Sequence, residues 1–305
     1  MKEQIKKLAE ALGYHTCGIT GMQPFDNYQT ALTQHAQRFP DAASLYQKME
    51  RRVNPATFAP WAKSIVVAVR RYGKYDLPET ITRHIGRNYL CDRRIKDCPD
   101  NTLPKRMKQG LRALGYRVKV GGIPCREAAV RAGIVKIGRN GFAYAEGCGS
   151  WLNIEAWLID TELEPDLPST PEAPCPTGCR ACLDACRTCA LTESYVVDMK
   201  RCIAYLTYEE AMPIPGELWN KMGPWIYGCD DCQNACPMNK GQWAPLEPAP
   251  WITAITDKLT PESLTTMDME TFQKLIYPLF WYIPETDLER WHQNAKRALQ
   301  DNHFF

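Results

Sequence analysis

The chain contains no apolar run approaching the length of a membrane span, and its first residues, Met-Lys-Glu-Gln-Ile-Lys-Lys, have none of the apolar core of a secretory leader. The Arg51-Arg52 pair is followed by Val53-Asn54-Pro55 instead of an apolar region, which excludes a twin-arginine address. These absences predict a cytoplasmic protein with no membrane partner. Charge of one sign is also missing: 37 Lys+Arg face 35 Asp+Glu, so no global pull toward nucleic acid or lipid arises. No internal repeat or low-complexity tract is present beyond the cysteine sets described below. The Gly-rich stretch Gly138-Arg139-Asn140-Gly141 is neither a P-loop nor a Gly-x-Gly-x-x-Gly turn, and alone it is weak as a phosphate cradle. With 45% hydrophobic and 24% charged residues over 305 positions, the chain predicts one large or two modest globular domains.

Cysteine, by contrast, is abundant and concentrated. Nine of 14 lie between Cys175 and Cys236: Cys175, Cys179, Cys182, Cys186 and Cys189, a lone Cys202, then Cys229, Cys232 and Cys236 before Pro237. Bacterial-type ferredoxins hold [4Fe–4S] clusters with Cys-x2-Cys-x2-Cys-x3-Cys-Pro runs whose fourth cysteine serves the other cluster. Two interleaved sets of that kind are present, with a first gap of three residues, Arg187 in place of one Pro, and Cys189 as a rival ligand. Soft thiolates suit cluster iron, and tight local spacing lets one loop wrap a cuboidal cluster. Structural zinc on paired Cys-x2-Cys knuckles is the alternative, although a third and fourth Cys within ten residues is foreign to it. Disulfides are disfavoured without an export signal.

Along the chain, helical spacing over residues 2–12 stops at Gly13, and residues 14–19 read as a short strand in which Cys17 is a buried small hydrophobe. Residues 27–50 are mostly helical, and Ser64-Ile65-Val66-Val67-Ala68-Val69 is the best buried strand. Residues 70–119 carry 14 basic residues against five acidic ones: a solvated face, or one that meets phosphate. Cys91 and Cys98 within it read as structural. A helix over 104–114, a strand from Arg117 to Val120, a short helix from Arg126 to Arg131 and a buried strand from Trp151 to Ile159 follow. Pro165, Pro168, Pro171, Pro174 and Pro176 predict an extended linker into the cysteine-rich region. After Pro237 the chain reads as helices folding back as packing.

With these residues in view the chain resembles the epoxyqueuosine reductase family and, more distantly, the cobalamin-binding core of reductive dehalogenases. The resemblance runs from the first helix to about Asn302. It rests on Leu12-Gly13-Tyr14 with Gly18-Ile19, Gly86-Arg87-Asn88-Tyr89, Arg131-Ala132-Gly133-Ile134 with Gly138-Arg139-Asn140, and Gly149-Ser150. More specific are Arg201-Cys202-Ile203 with Tyr205-Leu206-Thr207, Tyr227-Gly228-Cys229-Asp230-Asp231-Cys232, and Cys236-Pro237-Met238-Asn239. It implies an α+β chain: a nitroreductase-like, cobalamin-binding domain over residues 1–168, a ferredoxin-like double-cluster domain over 169–245, and C-terminal helices over 246–305. It further implies two ligand sets, Cys175, Cys179, Cys182 with Cys236, and Cys186, Cys202, Cys229 with Cys232. Cobalamin contacts are implied from Tyr89, from Gly138, Arg139, Asn140 and Gly141, and from Ser150.

The family carries its proton-donating acid in a Val-Asp-Ser-x-Pro segment, whereas this chain reads Val120-Gly121-Gly122-Ile123-Pro124. Glycine cannot act as a general acid. Tyr144, Glu127 and Glu146 are the replacement candidates, with Tyr144 favoured by the Tyr donor of reductive dehalogenases. The family's Gly-Lys-Asn is Gly138-Arg139-Asn140 here, and the helical repeats of longer members do not follow. The implied function is a corrinoid-dependent iron–sulfur reductase acting on a small molecule or tRNA and fed by a low-potential donor such as ferredoxin or flavodoxin. The alternative is a non-catalytic electron-transfer or corrinoid-handling iron–sulfur protein.

Overall fold

The computed structural model describes residues 1–92, 95–170, 172–209 and 213–301. Arg93 and Arg94 of the basic stretch and Pro171 of the linker lie outside the described residues. Four antiparallel strands form the central sheet: β1 (Thr16–Gly21), β2 (Ser64–Arg71), β3 (Val118–Val120) and β4 (Leu152–Ile159), in the order β1-β2-β4-β3. Strand β2 lacks polar alternation because both of its faces are covered. Val66 and Ala68 pack with Ile5, Met107, Leu111 and Trp157 beneath α1 (Lys2–Ala11) and α4 (Leu103–Ala113). Ile65, Val67 and Val69 face Leu32, Tyr46, Ala128 and Ala129 of α2 (Asp26–Arg38), α3 (Ala43–Glu50) and α5 (Cys125–Arg131). Pro40 splits the helical stretch expected over 27–50.

A third core joins Tyr72, Tyr75, Ile85, Cys91 and Cys98 to the C-terminal segment. There Trp291, Ala295 and Ala298 of a 14-residue helix, Leu288–Asp301, are fully buried. That helix does more than cover apolar surface. Its Asn294 donates to the carbonyls of Thr207 and Ile226, each at 3.0 Å, and Arg297 donates to the carbonyls of Gly223 and Trp225. It thereby fixes the backbone leading to Cys229, a role not visible in its sequence.

The proline-rich segment is a strap. Asp166 accepts a hydrogen bond from the Ile19 amide at 2.8 Å, and its own amide donates to Ile19 at 2.9 Å. Lys2 and Lys6 lie 2.7 and 2.9 Å from the same carboxylate. Burial pushes this carboxyl up, yet the bonds from Lys2, Lys6 and Ile19 outweigh it and hold it below the usual carboxylate range. Further along, the Ser169 amide donates to Val130 at 2.9 Å. Prolines keep the strap extended, and these bonds fasten it to β1 and α5. Among the described residues no helix is long and apolar enough to cross a membrane.

Candidate cluster and cofactor site

Three short helices lie among the cysteines: α6 (Ala181–Asp184), which holds Cys182, α7 (Ile203–Tyr208), with Cys202 at its N-cap, and α8 (Asp231–Asn234), which holds Cys232. Such short segments do not hold themselves together, so neighbouring side chains and bound groups must fix them. None of the 14 cysteines is paired in a disulfide. Cys175, Cys179, Cys182 and Cys236 line one small pocket together with Arg139, Asn140 and Tyr144. Cys186, Cys202, Cys229 and Cys232 line one wall of a cavity of about 560 Å³. Four thiols thus line each of two spaces, the number of ligands a cubane cluster takes, and Cys236 of the second run lies with the first three. Cys189 is exposed, has φ +53° and lines neither space.

The large cavity lies between the cysteine-rich segment and the sheet. Its remaining walls are the start of β4 (Leu152, Asn153, Ile154), Phe142 and Ala143, the start of α5, Tyr89, and the rim residues Tyr28, Met49 and Arg52. Tyr89 stands edge-on to Tyr227 at 5.1 Å and shares a 2.8 Å hydrogen bond with Tyr208. Gly228, at φ +74°, makes this possible, because a Cβ there would overlap the Tyr89 ring. Ser150 is wholly buried in a polar knot. Its amide donates to Asn239 Oδ1 at 2.8 Å, and its carbonyl and hydroxyl accept from Gln233 at 3.1 and 2.9 Å. Asn239 enters the sequence reading only as the end of the Cys-Pro-Met-Asn stretch, and Gln233 not at all. Arg87 joins the same seam, donating to Asp230 Oδ2 at 3.1 Å and lying over Trp151 and Trp243. Burial pushes the Asp230 carboxyl up to about 6 in spite of Arg87.

The 138–141 loop departs from its expected use. It closes a hairpin between Lys136–Ile137 and Ala143–Tyr144, with the Gly141 amide donating to Gly138 at 2.8 Å. Of its residues only Asn140 lines the large cavity. Arg139 faces the first cysteine set instead: its amide donates to Cys175 Sγ at 3.4 Å and its guanidinium to the Cys179 carbonyl. The hairpin turn thus lines the pocket of Cys175 and Cys236.

The three acid candidates also separate. Tyr144 donates to Cys236 Sγ at 3.1 Å and does not line the large cavity; burial, with the Cys236 contact adding to it, raises its phenol well above the ordinary value. Glu146 lines an outer cleft beside His15. Glu127, in the first turn of α5, lines the cavity itself. Burial pushes its carboxyl above the usual range against the pull of Arg126 and Arg131. Gly121, at φ +70°, presents no acid.

The basic stretch divides in two. Arg70, Lys74, Arg83 and Arg87 are consumed in ion pairs, Arg70 and Lys74 both with Asp100. Arg117 and Lys119 remain exposed and ride on Trp61 and Phe58 at 4.1 and 3.9 Å, beside the loop that reaches Ile123 and Pro124 in the cavity wall.

Residues 175–239 match the family described as a 4Fe-4S double cluster binding domain, so this segment binds two such clusters. A curated epoxyqueuosine reductase from Xanthomonas campestris is 32% identical over 249 residues, covering 78% of this chain and 69% of its own. The solved epoxyqueuosine reductase of Streptococcus thermophilus superposes with a TM-score of 0.80 at 25% identity, over 99% of this chain and 82% of that one. Another solved epoxyqueuosine reductase, captured with an epoxyqueuosine-modified tRNA stem loop, superposes with a TM-score of 0.76 at 25% identity, over 98% and 81% of the two chains.

Proposed function

The chain belongs to the epoxyqueuosine reductase family, and from that premise we propose that it is a corrinoid-dependent iron–sulfur reductase whose substrate reacts in the 560 Å³ cavity. One observation carries the reading: the second cysteine set forms a wall of that cavity, while the first set lies behind it. Cys175, Cys179, Cys182 and Cys236 hold one cluster in this reading, and Cys186, Cys202, Cys229 and Cys232 the other. Residues 1–168 form the cobalamin-binding body with nitroreductase-like topology, 169–245 the ferredoxin-like part, and 246–305 the buttress. A cobalamin bound there would supply a strongly nucleophilic and reducing cobalt centre.

The chain's own residues do the rest. Tyr89 and Asn140 bound the cavity beside the cysteines, and Ser150 locks that wall through Gln233. Converting an epoxide to an alkene consumes two electrons and two protons and releases water, so the site needs a proton source. Glu127 meets the need that Gly121 leaves, because it lines the cavity and burial raises its carboxyl above the usual range, the direction that favours the proton-carrying form a general acid needs. Exposed Arg117 and Lys119 with their aromatic partners support an RNA-borne substrate, as in the relative solved with a stem loop. A low-potential carrier such as ferredoxin or flavodoxin supplies the electrons, in the cytoplasm. Gly121 alone favours the second reading, a corrinoid-handling protein without turnover, and Glu127 opposes it.

Anaerobic titration of the cluster-loaded protein with cobalamin is the test. The reading expects a one-to-one complex with a base-off absorption spectrum; a spectrum unchanged from free cobalamin rejects it.

A further inference from the structure

Tyr144 is left without a part in the reduction itself, and it and Asn140 are both buried against cluster cysteines. Their hydrogen bonds have a fixed direction. Asn140 Oδ1 accepts from the Phe142 amide at 3.1 Å, which turns the amide nitrogen toward Tyr144 Oη at 2.9 Å. With its oxygen already accepting from Asn140, the phenol directs its own hydrogen to Cys236 Sγ at 3.1 Å. The Arg139 amide reaches Cys175 Sγ of the same set, and the Arg139 guanidinium lies against the Cys179 carbonyl. The second set also accepts from amides, Cys229 Sγ from Asp231 at 3.4 Å and Cys202 from Ala204 and Tyr205, but among the described residues no hydroxyl donates to it; the carboxylates of Asp230 and Asp231, paired with Arg87 and Arg187, flank that wall of the cavity.

We propose that Tyr144, oriented by Asn140, is a positioning residue that sets the reduction potential of the cluster held by Cys175, Cys179, Cys182 and Cys236, keeping it above that of the cavity-side cluster. The inference rests on the cluster reading given above. Each couple adds one electron to [4Fe–4S]²⁺ to give [4Fe–4S]⁺, and the added charge spreads onto the thiolate sulfurs. Donors to those sulfurs therefore favour the reduced form, while nearby carboxylates disfavour it. The first cluster becomes the place where an incoming electron rests, and the second the stronger reductant facing the cavity. The donors belong to the sheet-bearing body and not to the cysteine-rich segment, so this potential depends on the docking of the two.

The test is an anaerobic redox titration with dithionite as reductant, followed by electron paramagnetic resonance, on the full chain and on Tyr144→Phe, with iron and sulfide measured in both. Two couples are expected in the parent. In the variant the upper couple falls by about tenfold in its reduction equilibrium, about 59 mV for one electron, and the lower one stays in place. Should Tyr144→Phe load incompletely, 3-fluorotyrosine at position 144, a more acidic phenol, is expected to raise the upper couple alone. Full iron content with an unmoved upper couple, or equal movement of both, overturns the inference while leaving the cluster reading intact. A parent chain that binds no iron overturns both together.

Discussion

Cys202→Ser is expected to cost the chain about half of its iron, leaving about four of roughly eight atoms. Cys202 is the one ligand candidate isolated in sequence, 13 residues from Cys189 and 27 from Cys229. It stands at the N-cap of α7, where the helix enters a small core of Ile203, Leu206, Leu218 and Trp225. Burial raises its thiol above the ordinary value, which favours the neutral form, and a bound metal would offset that by compensating the thiolate charge. A serine there offers a hard oxygen that matches cluster iron poorly. The half that remains belongs to the first set, which does not contain Cys202, and its potential should be close to that of the parent. Total loss of iron would mean that the two sets fold only together; retention of all of it would mean that Cys202 is no ligand.

The second large effect concerns stability. Arg70 is 1% exposed, and its guanidinium lies 2.6 Å from Asp100 and 4.0 Å from Glu155, both nearly as buried. Removing one partner of a buried ion pair leaves uncompensated charge and costs about 3–5 kcal/mol. Arg70→Met removes the guanidinium from two buried carboxylates, leaving Lys74 3.5 Å from Asp100 and the Tyr14 hydroxyl donating to Glu155. The expected drop in thermal midpoint is on the order of 10 °C for a chain of this size. A triple change of Arg70→Met, Asp100→Leu and Glu155→Met should recover much of it, because no charge is then left buried. An unchanged midpoint in the single variant would show that water reaches the pair.

The ion pair also marks where sequence reading runs out. Local signals were legible. The cysteine spacing announced clusters, the β-branched run at 64–69 announced a buried strand, and Gly13 marked the end of the first helix. Contacts between distant segments were not. Arg70 was one cation among 14 until Asp100 folded against it, and the prolines of the strap say nothing of Asp166 reaching Ile19. The family resemblance implies cofactor contacts from the 138–141 loop, whereas the hairpin uses its glycines for the turn and points Arg139 at Cys175. Tyr144, expected to face the substrate, faces sulfur. In each case the residue type was informative, and its partner was set by topology.

Electron supply from two sulfur-bound iron cubanes to a cobalt macrocycle is the centre of this account. The most direct check is the iron, acid-labile sulfide, zinc and cobalt content of the chain purified anaerobically with cobalamin present. The account predicts about eight irons, about eight sulfides and one cobalt per chain, with no zinc. Zinc in place of iron, or iron without cobalt, would contradict it.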